Sequence, residues 1–296
     1  MTHGSQQGLD LLGKTLLNEG DHVAIEKPGY LGAIQAYSIY RSRFHQIPLL
    51  DDGPDIEVLS KCVRQNPIKL YYTVPNFQNP SGISYSQKSR VDVTDALSGT
   101  DTILIEDDPY GELRFRGSPA ESFRALMPEN TVLLGSFSKI VAPGFRVGWL
   151  VARDEIREKL LVAKQAADLH TSGPGQRIIH RYLIDNDIDT HIGKIQQAYG
   201  SQRDAMVNSI NEFFPDGVEF TKPEGGMFLW VRLPQGFSSM ALFEKAIEND
   251  VAFVPGEPFY PDNPEKETLR LNFSSVDEKT IREGIKRLAE AIKACG

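Results

Sequence analysis

Five short, nearly unbroken apolar runs constrain this chain most: HVAIE (22–26), KLYYTV (69–74), TILIE (102–106), TVLLG (131–135) and RVGWLVA (146–152). Strands without a polar face are covered on both sides, and the stretches between these runs carry a helical period. Leu9, Leu12 and Leu16 share one helical face, and SYSQ (84–87) has the form of a capping box opening a later helix. The alternation predicts an α/β fold with a largely parallel sheet. A long helical period without proline over 188–214 is placed to bridge two domains. Beyond it, VEFTKPEGGMFLWVRLP reads as a β-hairpin, followed by a helix near 238–250, a strand TLRLNFS and a closing helix over 277–294. That is a smaller α+β domain, so the expected division is 1–195 and 196–296. The Pro-rich PGEPFYPDNPEK (255–266) reads as an exposed loop.

At 296 residues, 40% hydrophobic and 24% charged, the chain is long enough for one large domain and a smaller one. Its net charge of -8 repels phosphate backbones and anionic membrane surfaces, and no local basic patch offsets it. Neither nucleic acid nor a membrane is therefore an expected partner. No apolar run approaches the roughly 20 residues of a membrane span, and MTHGSQQG is not a signal peptide, so a soluble cytoplasmic protein is expected. Cys62 and Cys295 form no C-x-x-C pair, and the six histidines show no metal-ligand spacing with them. Free thiols in a reducing compartment and no metal follow from that pattern.

The stretch SFSKIVAPGFRVGW (136–149) sets a lone lysine, Lys139, just past a strand. A strongly hydrated ammonium there is either exposed or has a chemical role. Open α/β sheets bind ligands at the carboxyl ends of their strands, and the residues at those ends are distinctive. Tyr30 follows the first run, Asn79 the second, Asp107 and Tyr110 the third, and Ser136, Ser138 and Lys139 the fourth. Gly4, Ser5 and Gln6 open a helix whose N–H groups suit a phosphate, and Arg146 adds positive charge. A phosphate cup beside a lysine and a carboxylate suggests pyridoxal phosphate, held as a Schiff base and paired at its ring nitrogen. Singly, each residue has a blander meaning: Lys139 a solvated lysine, Tyr30 core packing, Arg270 a structural ion pair. Asp107 and Asp108 admit loop capping or a metal, because Glu106 and Asp108 share a strand face. Glu106 and Asp107 point to opposite faces and so are not the facing carboxylates of a glycosidase.

Seven motifs in order, GSQQGLDLLGKTLLNEGD, PGYLGA, PNFQNPSG, IEDDPYGELRF, SFSKIVAPGFRVGWL, PEGGMFLW and LRLNFS, resemble the fold-type I, class I/II aminotransferases. The 2-aminoadipate and kynurenine aminotransferase subgroup is the most similar. The resemblance implies a cofactor, pyridoxal 5'-phosphate, bound mainly by residues 1–195. It makes Lys139 the Schiff-base lysine, Asp107 the partner of the pyridinium nitrogen, and Asn79 and Tyr110 the partners of the ring hydroxyl. Tyr30 stacks on the ring; Ser5, Gln6, Ser136, Ser138 and Arg146 hold the phosphate. Arg270, with Asn79 beside it, grips the substrate α-carboxylate. Amino acid and 2-oxo acid substrates and a homodimer are implied as well. The pattern departs from the family at the front, where the segment usual before the GSQQ-like motif has no counterpart ahead of Gly4, so low activity of this chain alone is expected. His3 stands where asparagine is usual. The fold also serves pyridoxal phosphate lyases and the effector domains of GntR/MocR-type regulators, while Asn79 and Arg270 together favour transamination.

Overall fold

The computed structural model of the chain describes residues 1–295 and contains two sheets. The strands of the larger are β1 (His22–Lys27), β2 (Arg43–Leu50), β3 (Gly53–Pro54), β4 (Ile68–Thr73), β5 (Ile103–Asp107), β6 (Thr131–Ser136) and β7 (Gly148–Val151). They lie in the order β3-β2-β1-β4-β5-β6-β7, and only the edge strands β3 and β7 are antiparallel to their neighbours. The surrounding helices are α1 (Ser5–Leu16), α2 (Leu31–Ser38), α3 (Ile56–Gln65), α4 (Gln87–Leu97), α5 (Phe123–Leu126), α6 (Asp154–Asp168) and α7 (Gly173–Asp185).

The apolar runs are unbroken because successive residues enter different cores. Val23, Ile25, Leu70, Tyr72 and Ile105 pack with Leu9 and Leu12 of α1 and Leu160 of α6. Ala24, Tyr71 and Leu104 face the other way, against Leu59 of α3, Val93 of α4 and Phe123 of α5. Each such fully buried aliphatic side chain contributes roughly 1.5–3 kcal/mol.

A 26-residue helix, α8 (Ile188–Phe213), leads to the smaller antiparallel sheet of β8 (Glu219–Phe220), β9 (Phe228–Arg232), β10 (Val254–Pro255) and β11 (Thr268–Asn272). Its helices are α9 (Ser239–Glu248) and α10 (Glu278–Cys295). Leu229, Val231, Leu269 and Leu271 build a core with Met206 of α8 and Leu288 of α10. With a period of two, Phe228, Trp230 and Arg270 face the opposite side. Among the described residues no helix is long and apolar enough to cross a membrane.

Three local expectations differ from the structure, and the strand β2 escaped the sequence reading. The cap of α4 is Ser86, whose side chain accepts from Ser89 N, whereas Ser84 Oγ accepts from Phe77 N seven residues earlier. A hydrogen bond within the preceding loop thus takes Ser84 away from the capping box. The run 146–152 becomes a strand only from Gly148, because Arg146 adopts a left-handed conformation with φ 50°. The Pro-rich loop is not wholly exposed: Phe259 and Tyr260 are buried against Trp230. Finally, RFHQIPLL forms β2 without an apolar run, being half-covered near the sheet edge.

Candidate active site

The strand order reverses between β1 and β4, and the crevice at the carboxyl ends there is where such sheets take ligands. A cavity of about 390 Å3 opens at this point, within the usual range for small-molecule sites. All eleven residues singled out from the sequence line it.

Asp107, at the end of β5, is 2% exposed. Its Oδ2 accepts a hydrogen bond from the Tyr72 hydroxyl at 2.9 Å, while Oδ1 is buried without a partner. Burial pushes its carboxyl up to about 7, with the Tyr72 hydrogen bond acting in the opposite direction. Ser5 Oγ lies near enough to this carboxyl to favour its charged form, yet neither Oγ nor Oδ1 completes a hydrogen bond. Two orphaned polar atoms at the cavity wall are the donor and acceptor expected of a binding site rather than of a core.

The opposite wall is an anion cup. Gly4 precedes α1 with φ 77° and offers no side-chain cap, leaving the first N–H groups of that helix free. Thr2 and Gly148 exchange backbone hydrogen bonds at 2.8 and 2.9 Å, tying this helix start to β7. A Cβ at Gly148 would sit 2.7 Å from Gly4 Cα, so the approach needs glycine. Ser136 Oγ donates to Ser138 Oγ at 2.9 Å, and Arg146 reaches Ser138 Oγ and His3 O at 3.4 Å each. The left-handed Arg146 backbone is what turns its guanidinium back over the helix start. Gln6 sits beside the cup, donating to Gly32 O at 2.8 Å and accepting from the Tyr30 hydroxyl at 3.4 Å.

Between these walls stand Lys139 and Arg270. Burial, then the cationic Arg146 and Arg270, pull the Lys139 ammonium below its ordinary value. Its Nζ lies 6.0 Å from the centre of the Tyr110 ring. Arg270 on β11 donates to Asn79 Oδ1 at 2.7 Å, with its guanidinium 4.2 Å from the Phe228 ring and 5.2 Å from the Phe259 ring. Asn79 is itself held by its loop: buried Glu26 accepts from Thr73, Val74 N, Tyr85 and Gln78, and Gln78 Oε1 accepts from Ser81 N. Glu106 turns away, to Ser122, Arg124 N and the buried Arg90.

Tyr72 and Phe228 also line the cavity and escaped the sequence reading. The period of two puts Tyr72 on the Val74 face and Phe228 on the Trp230 face. Strand registers, Tyr72 opposite Ile105 and Phe228 opposite Asn272, carry them to Asp107 and Arg270.

An α/β crevice with an amine, a buried carboxylate and an anion cup defines a pyridoxal-phosphate enzyme. Residues 1–288 match the family described as aminotransferase class I and II. Aromatic-amino-acid aminotransferase 1 of Thermococcus litoralis is 46% identical over an alignment of 298 positions that covers 99% of this chain and 72% of that protein. The structure of Pyrococcus horikoshii kynurenine aminotransferase in complex with PMP superposes with TM-score 0.95 at 47% identity, over 99% of this chain and 74% of that one. The α-aminoadipate aminotransferase of Thermus thermophilus, complexed with N-(5'-phosphopyridoxyl)-L-leucine, gives TM-score 0.96 at 38% identity, over 99% and 76%. The chain belongs to the class I and II aminotransferases. It is a pyridoxal 5'-phosphate-dependent enzyme that moves amino groups from amino acids to 2-oxo acids.

Proposed function

We propose that the crevice between β1 and β4 transaminates amino acids of the aromatic and 2-aminoadipate type, with the roles divided among its side chains as follows. The reading rests above all on the Asp107 carboxyl, buried and with Oδ1 unpartnered, in the same cavity as Lys139 and Arg270. The substrate class is supported by similarity to proteins named aromatic-amino-acid and α-aminoadipate aminotransferase.

The bound pyridoxal phosphate supplies an electron sink for the pair left at the substrate Cα. Asp107 holds the proton on the ring nitrogen, which keeps that sink cationic. The first N–H groups of α1, at Ser5 and Gln6, would hold the phosphate together with Ser136, Ser138 and Arg146. Tyr30 covers the ring face, and Asn79 and Tyr110 bond the ring hydroxyl. Arg270 takes the substrate carboxylate in a planar, bidentate grip and so orients the Cα–H bond. Lys139 Nζ would hold the cofactor at rest, and as a free amine it would take the proton from the substrate Cα and return it at C4', a task suited to an amine of lowered basicity.

At the level of the whole molecule, the reading assigns residues 1–195 to cofactor binding and 196–296 to a smaller domain that contributes Phe228 and Arg270. It also makes the protein a cytoplasmic homodimer. Leu161, Val162, Leu169, Ile178 and Ile184, on α6, α7 and the turn between them, are each more than half exposed, apolar surface that a second copy could cover. Free Cys62 and Cys295 suit a reducing compartment. Titrating the holoenzyme with a panel of amino acids, while following the visible absorption of the cofactor, tests the substrate class. Conversion by phenylalanine, tyrosine, kynurenine or 2-aminoadipate supports it, and conversion by none of them overturns it.

A further inference from the structure

We propose that Tyr72 is a positioning residue for this reaction: its hydroxyl fixes one carboxyl oxygen of Asp107 so that the other is left for the cavity. The inference rests on the reading of Asp107 given above and adds a residue that acts through that carboxyl.

The geometry comes from the sheet. Tyr72 of β4 is opposite Ile105 of the parallel strand β5, so Asp107 is the next residue along on the same face, within reach of a tyrosine side chain. The hydroxyl donates to Oδ2 at 2.9 Å, and Tyr72 is fully buried. Its ring is braced by Tyr30 at 6.5 Å and edge-on by Tyr37 at 6.3 Å, so the phenol has no freedom to swing away. A carboxylate held at one oxygen by a rigid donor cannot rotate about its Cβ–Cγ bond, which sets the direction of Oδ1 before any ligand arrives.

The same bond has an electrostatic effect. Asp108 on its own strand end and Glu26 at the end of β1 push the Asp107 carboxyl up, and burial does so more strongly. The phenols facing it, Tyr30, Tyr37, Tyr72 and Tyr110, all have raised values and remain neutral. Ser5 and Tyr72 are the groups that favour its charged form. Removing the Tyr72 donor therefore disfavours the carboxylate, and its titration moves to higher pH.

The test is Tyr72→Phe, with Tyr37→Phe as the packing control. Tyr37 lies in the same aromatic cluster and its buried hydroxyl has no partner. The Asp107 carboxyl is titrated by infrared difference spectroscopy in the cofactor-free protein, its band assigned by its loss in Asp107→Asn. In Tyr72→Phe the titration should move up from its parent value, and the acid limb of the holoenzyme kcat/KM profile should move with it. Near neutral pH kcat should fall about tenfold while KM stays within about twofold. Tyr37→Phe should leave the titration in place. Coincident titrations of Tyr72→Phe and parent would overturn the inference, as would an equal shift in Tyr37→Phe. Full activity of Asp107→Asn would instead remove the role of Asp107 on which the inference stands.

Discussion

Arg270 Nη1 donates to Asn79 Oδ1 at 2.7 Å, binding a strand of the smaller sheet to the loop after β4 across 191 residues of sequence. The contact sets the distance between the residue that takes the substrate carboxylate and the ring-side amide. It also leaves Arg270 Nε buried and unpartnered, with the guanidinium packed on Phe228 and Phe259.

Arg270→Lys should therefore raise KM strongly. A point-like ammonium cannot both bond Asn79 and offer a planar fork, so kcat/KM should fall about a hundredfold, chiefly through KM. Steady-state kinetics with the preferred amino acid measure this. An unchanged KM would show that the substrate carboxylate is bound elsewhere.

Borohydride reduction of the holoenzyme, followed by peptide mass mapping, should place the pyridoxyl group on Lys139. Lys164 is the informative alternative because it is more buried than the half-buried Lys139, yet it is ion-paired to Asp168. Lys139→Ala should lose the covalent link but keep measurable cofactor affinity, since the phosphate contacts are untouched.

Stability should depend on pH through Asp107. Its folded value is raised from the ordinary 3.8 to about 7, so the folded chain holds an extra proton between those values and loses stability as pH rises through them. Cofactor-free Asp107→Asn should melt several degrees above the parent near pH ~8, and the gap should shrink toward pH ~4. In the holoenzyme the same substitution should lower kcat by about a hundredfold or more, because an amide does not hold the ring proton. Thermal melts across pH and turnover assays separate the two effects.

The anion cup should be sensitive to a single methyl group. A Cβ at Gly4 would stand 2.9 Å from Arg146 Nη2, and φ 77° disfavours any side chain there. Gly4→Ala should weaken pyridoxal phosphate binding about tenfold or more by displacing Arg146, and Arg146→Ala should do the same through loss of charge. Equilibrium dialysis with the cofactor checks both; parent-like affinity in Gly4→Ala would show that the cup does not depend on this approach.

Sequence alone determined the features that are local to the chain. Apolar runs marked the covered strands β1, β4, β5 and β6 and the edge strand β7, helical spacing marked α1, α8 and α10, and the residue after each strand end was legible because parallel α/β sheets expose those ends together. That is enough to gather Lys139, Asp107, Asn79 and the serines on one rim and to show the family motifs. Tertiary structure decided what depends on register and on distant partners. Tyr72 reaches Asp107 only because β4 and β5 pair Tyr72 with Ile105, a relation that no periodicity within either strand contains. Ser86 rather than Ser84 caps α4 because Phe77 N claims Ser84, and Arg146 leaves the strand pattern for a left-handed turn over Gly4. Phe259 and Tyr260 are buried in a Pro-rich loop because Trp230, about 30 residues away in sequence, supplies the surface they cover. Local propensity is a property of a few neighbours, whereas hydrogen-bond competition and packing are settled only when segments far apart in the chain meet.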